Sequence, residues 1–115
     1  MRIVIVDDDT NLRKKLIKQI NSALKYKLDI FEANNVKSGV EAITNNNPDI
    51  VFLDIEMPDG TGFNIMDRIE NRNFKIVFIS SYDFFTKKAY SFGADGYLVK
   101  PVKVKDIVRI ISNAK

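Results

Sequence analysis

The chain alternates short segments of consecutive apolar residues with longer segments in which apolar residues recur every three or four positions. Short continuous apolar segments are typical of parallel strands that are buried on both faces. The periodic segments are typical of helices that cover a core with one face. We therefore predict strands at Ile3–Val6, Leu28–Ala33, Ile50–Asp54, Lys75–Ser80 and Gly96–Val99.

A helix is predicted after each strand. Thr10 is the predicted N-cap of the first helix, whose apolar positions continue to about Lys25. The second helix is predicted from Val36 to the Asn-Asn-Asn-Pro sequence at 45–48, where proline and polar turn residues end the periodicity. The other three are predicted from Phe63 to about Asn71, from Phe85 to Phe92 and from Val104 to Ile111.

This alternation predicts an α/β fold in which a doubly wound (β/α)5 unit surrounds a five-stranded parallel sheet. A length of 115 residues fits one domain spanning 1–115. The strand orders usual for such sheets place the first and third strands side by side at the topological switch point, where ligands bind. Candidate functional residues are therefore sought at the carboxyl ends of these strands.

Polar residues follow four of the predicted strands. Asp7 and Asp8 follow the first, Asp54 ends the third, Ser80 ends the fourth and Lys100 follows the fifth. A lone Asp after a strand is often only a turn or N-cap residue, but parallel topology gathers all five side chains at one edge. A half-open cluster of carboxylates suits hydrated Mg²⁺, and with a lysine it suits phosphoryl transfer to Asp54.

Two other metal-dependent motifs do not match, because required residue types are missing at their positions. An EF-hand loop beginning at Asp7 would need glycine where Leu12 stands and a bidentate glutamate where Lys18 stands. A haloacid dehalogenase phosphatase motif would need threonine or valine where Asn11 stands, and its larger core does not fit this length.

Composition excludes several function classes. The chain has no histidine and no cysteine, which removes Ser-His-Asp and Cys-His catalysis and zinc sites that contain histidine. The net charge of +3 comes from lysines scattered over several segments, so no direct nucleic-acid contact is expected. No apolar stretch reaches the roughly 18 residues that span a bilayer, so we expect no membrane contact and a cytoplasmic location.

Four motifs together resemble the receiver domain of two-component response regulators. They are the paired acids Asp7-Asp8, the sequence from Leu53 to Gly62 around Asp54, the hydroxyl of Ser80, and the sequence Gly96-Tyr97-Leu98-Val99-Lys100-Pro101. The resemblance covers nearly the whole chain. It implies a flavodoxin-like sheet with the strand order 2-1-3-4-5, for which a chemotaxis member of this family is an established example.

The resemblance also implies a phosphoacceptor and a magnesium site. Asp54 is similar to the aspartate that accepts the phosphoryl group. Asp8 is similar to a direct Mg²⁺ ligand, and Asp7 to the acid that holds metal-bound water. The backbone carbonyl of Glu56 corresponds to a further metal ligand, while its side chain lies where the family varies the lifetime of the phosphoryl group, as does Tyr82.

The remaining implied roles concern the phosphoryl group and the switch. Ser80 and Lys100 correspond to residues that contact the phosphoryl group, and Tyr97 corresponds to an aromatic residue that changes rotamer with activation. Pro101 resembles a proline that is usually preceded by a cis peptide bond.

The expected function is a switch that accepts a phosphoryl group from a phosphohistidine on a sensor kinase or phosphotransfer protein. Phosphorylation is expected to remodel the surface of the fourth helix, fifth strand and fifth helix and so to control an output domain, an output protein or homodimer formation.

The residues Tyr82-Asp83 and Ala89 resemble those of regulators with a LytTR-type DNA-binding output. Catalysis is expected only as self-phosphorylation and slow autodephosphorylation. The alternatives are a phosphatase for small esters and a receiver-like module that is never phosphorylated.

Overall fold

A five-stranded parallel sheet forms the centre of the molecule. The computed structural model describes residues 1–114, so Lys115, the last residue of the predicted domain, lies outside the described part. The strands are β1 (Arg2–Val6), β2 (Asp29–Ala33), β3 (Ile50–Asp54), β4 (Lys75–Ser80) and β5 (Gly96–Val99). Their order is β2-β1-β3-β4-β5 with every pair parallel, which confirms the predicted flavodoxin-like topology.

Five helices cover the two faces of the sheet. They are α1 (Thr10–Ala23), α2 (Val36–Asn46), α3 (Gly62–Asp67), α4 (Thr86–Ser91) and α5 (Val104–Ala114). A short antiparallel hairpin also pairs Glu56–Met57 with Gly60–Thr61, where the sequence indicated only a loop. Within residues 1–114, none of the helices is both long and apolar enough to pass through a bilayer.

The alternating side chains of each strand divide the core into two layers. Along β3, Val51 and Leu53 pack towards α2, α3 and α4, whereas Ile50 and Phe52 pack towards α1 and α5. All five β3 residues are buried, as expected for a central parallel strand. β3 therefore holds Asp54 at the end of the most enclosed strand of the sheet.

The predicted start of α1 and the predicted ends of α1 and α3 are wrong. The N-cap of α1 is Asp9, whose carboxylate accepts a hydrogen bond from the Leu12 amide, and Thr10 is the first helical residue. The helix also ends at Ala23, before Lys25. The third helix ends at Asp67 instead of continuing to Asn71. Its end is tightened, since the Arg68 and Ile69 amides donate to carbonyls three residues earlier, and the Arg72 guanidinium also donates to the Met66 carbonyl.

Candidate functional site

The carboxyl ends of β1, β3 and β5 bring Asp7, Asp54 and Lys100 to one edge of the sheet. β1 and β3 are neighbours, and their register places Val6 opposite Leu53, so the following acids lie side by side. Lys100 follows β5 and its backbone amide donates to the Ser80 carbonyl at 2.8 Å. The topology alone therefore assembles the candidate site from segments that lie far apart in sequence.

Three carboxylates and one ammonium group meet at this edge. Oxygen atoms of Asp7, Asp8 and Asp54 all lie within 4.8 Å of one another. Lys100 Nζ lies 3.1 Å from Asp54 Oδ2 and 3.5 Å from Asp7 Oδ2. Asp54 and Asp7 are buried and Asp8 is exposed, so the cluster is open to solvent on the Asp8 side.

The two oxygens of Asp54 have different environments. Oδ2 accepts the hydrogen bond from Lys100, whereas Oδ1 is buried and has no hydrogen-bond partner within residues 1–114. Burial and the nearby charge of Asp7 raise the pKa of Asp54 to about 7, against the opposing effect of Lys100. A buried oxygen without a partner is costly for the fold, so Oδ1 is a site at which a cation or an electrophile would relieve that cost.

Lys100 is the cation that offsets this acidic cluster. Burial by itself lowers the pKa of Lys100, but the combined charges of Asp54 and Asp7 outweigh burial and leave that pKa above its ordinary value. The amino group is therefore a permanent positive charge beside Asp54. The peptide bond between Lys100 and Pro101 is cis, as the resemblance implied.

Within residues 1–114, the side chain of Ser80 forms no hydrogen bond with Asp54. Its hydroxyl donates to Glu56 Oε1 at 2.8 Å and accepts from the Tyr82 amide at 3.1 Å. The Tyr97 hydroxyl donates to the Tyr82 carbonyl. A continuous series of hydrogen bonds thus connects Glu56, Ser80, Tyr82 and Tyr97.

Asp59 has a positioning contact that sequence reasoning missed. Its carboxylate accepts from the amides of Val36 and Lys37, at 2.8 and 3.3 Å, at the first turn of α2. The hydrogen bond from the Val36 amide lowers the pKa of Asp59. This contact ties the hairpin that contains Glu56 to α2. No local pattern indicates it, because the two segments are distant in sequence.

The donor set fits a hydrated magnesium ion. Asp7, Asp8 and Asp54 offer only oxygen, which hard divalent cations prefer, and the open side leaves room for the waters that Mg²⁺ retains. The buried Asp54 Oδ1 without a partner supports the same conclusion. Imidazole and thiolate ligands cannot contribute, because the chain has neither histidine nor cysteine.

The sequence of this chain is similar to that of known proteins. The family model for the response regulator receiver domain matches residues 3–112. The positive alginate biosynthesis regulatory protein of Pseudomonas aeruginosa is 32% identical over 116 residues, which cover 99% of this chain and 47% of that protein. The sensory transduction protein LytT of Bacillus anthracis is 34% identical over 118 residues, covering 100% of this chain and 47% of that protein. The chain thus spans about half the length of these curated relatives.

Solved structures share the fold. The response regulator protein TrrA of Thermotoga maritima, crystallised with Mg²⁺ and BeF, has a TM-score of 0.85 and 27% identity over 99% of this chain and 98% of that one. A CheY-like receiver domain protein of Methanospirillum hungatei has a TM-score of 0.86 and 24% identity, covering 97% and 90% of the two chains.

Proposed function

We propose a specific switching reaction for this chain, which belongs to the family of response regulator receiver domains, the phosphorylation-dependent switches of two-component systems. In this proposal, residues 1–115 act as one receiver domain that accepts a phosphoryl group on Asp54. The donor is a phosphohistidine on a sensor kinase or phosphotransfer protein. The chain's lack of histidine is consistent with a donor imidazole on another protein.

One observation carries the proposal: Asp54 is buried beside Lys100 and has one oxygen, Oδ1, without a hydrogen-bond partner in the described residues. A carboxylate oxygen of Asp54 attacks phosphorus and forms the new P–O bond. The P–N bond of the donor breaks, and the imidazole leaves with its electron pair. Lys100 neutralises the charge on the phosphoryl oxygens during transfer.

We assign the metal site to oxygen ligands around Asp54. Asp8 and Asp54 would bind Mg²⁺ directly, the backbone carbonyl of Glu56 would be a further ligand, and Asp7 would hold metal-bound water. The close grouping of the three carboxylates supports this set. When bound, Mg²⁺ would offset their mutual repulsion and the charge of the phosphoryl group.

Ser80 and Tyr97 would form the switch. Phosphorylation adds about −1.5 to −2 units of charge and new acceptor oxygens at Asp54. In the proposal, the Ser80 hydroxyl leaves Glu56 and donates to the phosphoryl group, and Tyr97 then changes position and remodels the α4-β5-α5 surface. The hydrogen bonds that join these side chains through Tyr82 support the coupling.

The output would be controlled through this remodelled surface. We propose that the partner is an output domain, a separate effector protein or a second copy of the chain. A DNA-binding output is one candidate, since Tyr82-Asp83 and Ala89 resemble regulators of the LytTR type. Apart from accepting and slowly losing the phosphoryl group at Asp54, no enzymatic turnover is proposed.

Intact mass measured after incubation with Mg²⁺ and a small phosphodonor such as acetyl phosphate tests the proposal. We expect one added phosphoryl group that is labile to alkali, and no addition when excess EDTA is present during the incubation. Asp54→Asn should prevent the addition, because an amide is not a nucleophile.

Full phosphorylation of Asp54→Asn at another residue would contradict the assignment of Asp54 as the phosphoacceptor. Absence of Mg²⁺ binding would indicate the module that is never phosphorylated, and turnover of generic phosphate esters would indicate the phosphatase.

A further inference from the structure

Arg13 is a buried cation next to the acid cluster, and the roles proposed so far leave it unused. It lies in the first turn of α1, and its side chain is 9% exposed. Its Nη1 donates to the backbone carbonyl of Asp7 at 2.6 Å, and its Nε donates to Glu32 Oε1 at 2.7 Å. One guanidinium therefore joins the end of β1, the start of α1 and the strand β2.

The carbonyl that Arg13 holds belongs to the peptide unit joining Asp7 to Asp8. Hydrogen bonds hold both the backbone and the side chain of Asp7. Its amide donates to the Ala33 carbonyl at 3.0 Å, and its Oδ1 accepts from the Asp9 amide at 2.9 Å. The Asp8 side chain, in contrast, forms no hydrogen bond or ion pair with any residue from 1 to 114. The backbone therefore sets the direction of the Cα–Cβ bond from which the Asp8 carboxylate extends, and no side-chain contact adds to this constraint.

We propose that Arg13 is a positioning residue for the metal site. By holding the Asp7 carbonyl, it fixes the peptide plane before Asp8 and so aims the Asp8 carboxylate towards Asp7 and Asp54. Glu32 keeps the guanidinium in place and offsets its charge, as a buried cation requires. This inference rests on the proposed function, because it assigns Asp8 to the Mg²⁺ site.

Long-range electrostatics and positioning predict opposite effects of removing the Arg13 charge. If Arg13 acted only through its charge, its loss would reduce the repulsion of a divalent cation and strengthen Mg²⁺ binding. If Arg13 positions Asp8, its loss frees the Asp7–Asp8 peptide and weakens binding. The sign of the change thus separates the two roles.

Mg²⁺ titration of the folded protein, followed by the backbone amide NMR signals of Asp8 and Asp9, tests the proposal. Arg13→Gln should weaken Mg²⁺ affinity on the order of tenfold, the lower end of the effect typical for residues that orient metal ligands. Lys14→Gln is the matched control, since Lys14 is the exposed neighbour of Arg13 and also lies near Glu32, with Nζ 3.6 Å from Oε2. It removes the same charge and should leave affinity unchanged or slightly higher.

A second variant covers the case in which Arg13→Gln does not fold. Arg13→Lys keeps the net charge but has one ammonium group, which cannot reach the Asp7 carbonyl and Glu32 in the same way as the guanidinium fork. It should also bind Mg²⁺ more weakly than the wild type. Amide hydrogen exchange at Asp9, measured without metal, should be faster in both variants.

The outcomes separate this inference from the proposed function. Wild-type affinity in a folded Arg13→Lys protein, or unchanged or stronger binding in Arg13→Gln, would overturn the positioning role and leave the proposed function intact. A wild-type protein that binds no Mg²⁺ at all would instead overturn the proposed metal site itself. A variant that is less stable to urea but binds Mg²⁺ normally would show that Arg13 acts on the fold alone.

Discussion

The Ser80 hydroxyl donates its hydrogen to Glu56 Oε1 across 2.8 Å, in a protein whose Asp54 lies at the end of the neighbouring strand. A hydroxyl has one hydrogen, so Ser80 cannot donate to Glu56 and to a phosphoryl group on Asp54 at the same time. In the proposed switch, Glu56 would therefore compete with the phosphoryl group for the Ser80 hydroxyl. Its charge also lies close enough to contribute to the raised pKa of Asp54.

We predict that Glu56→Ala strengthens the binding of beryllofluoride, a mimic of the phosphoryl group. The expected gain is roughly fivefold, because one hydrogen bond of about 1 kcal/mol no longer has to be broken. The lifetime of the phosphoryl group should change much more than Mg²⁺ affinity, since only the Glu56 backbone is assigned to the metal. Isothermal titration and intact mass over time measure these quantities.

Glu56→Gln is the matched control, because the amide oxygen can still accept from Ser80 while the charge is lost. We expect it to bind the mimic with an affinity between those of the wild type and Glu56→Ala. If all three proteins bind the mimic equally and lose the phosphoryl group at equal rates, the Glu56 side chain has no part in the switch.

The Ser80 hydroxyl is also predicted to be the link between Asp54 and Tyr97. Ser80→Ala should leave Asp54 able to accept a phosphoryl group but should abolish the response of Tyr97 to beryllofluoride. A coupling of about 1 to 3 kcal/mol is enough for a useful switch. Ring NMR signals of Tyr97, with and without the mimic, measure the response.

Ser81→Ala is the control, since Ser81 is the exposed neighbour of Ser80 and forms no part of the hydrogen-bond series. It should respond as the wild type does. An identical Tyr97 response in the wild type and in Ser80→Ala would show that the hydroxyl is not the coupling element.

Two adjacent acids offer a test of the metal site. Asp8→Asn should weaken Mg²⁺ binding and slow phosphorylation by acetyl phosphate, because it replaces a charged ligand by a neutral one. Asp9→Asn removes the same charge, but asparagine caps a helix as well as aspartate does, so α1 should be unaffected. Equal Mg²⁺ affinities in these two variants would show that only the overall charge of the 7–9 segment matters.

The strands and their common edge were predictable because they depend on local hydrophobicity and on a general rule of parallel sheets. Asp7, Asp8, Asp54 and Lys100 were correctly expected to lie together, since each lies at or just after the carboxyl end of a strand. The strand order came from the family resemblance, because spacing alone does not distinguish the orders of doubly wound sheets. The roles of these residues in phosphoryl transfer stay predictions.

The contacts that sequence reasoning missed are long-range and polar. Arg13 pairs with Glu32, and Asp59 accepts from the start of α2, yet neither pair has a periodicity or a spacing that indicates it. Apolar patterns locate elements, whereas such contacts depend on how the elements pack.

Gly62 is predicted to be required for full stability because a side chain there would collide with the backbone of Asp54. A Cβ at this position would lie 2.7 Å from the Asp54 carbonyl oxygen and 3.1 Å from Leu53 Cγ. Gly62→Ala should therefore lower the free energy of unfolding by about 1 to 3 kcal/mol. Gly96→Ala is the control, since its Cβ would make only ordinary contacts of 3.5 and 3.6 Å with Val77. Similar urea stabilities for the two variants would contradict the close approach.

The raised pKa of Asp54 predicts that the metal-free protein loses stability as the pH rises. The carboxyl has a pKa of about 7 in the folded state, against an ordinary value of 3.8. Between these values the folded state binds the proton more tightly than the unfolded state, so the free energy of unfolding falls with increasing pH. The loss of unfolding free energy caused by ionising the buried Asp54 is absent below about pH 4 and complete above about pH 7. Its upper limit is about 4 kcal/mol.

Asp54→Asn removes the buried charge, so its stability relative to the wild type should increase between pH 5 and pH 8 when both are measured in EDTA. Saturating Mg²⁺ should reduce this difference at pH 8, because a cation favours the ionised Asp54. Asp67→Asn, at an exposed position at the end of α3, should show no such trend. Urea unfolding at several pH values measures the three proteins. A constant difference between wild type and Asp54→Asn across this range would mean that Asp54 is already fully ionised at pH 5, with Lys100 compensating its burial.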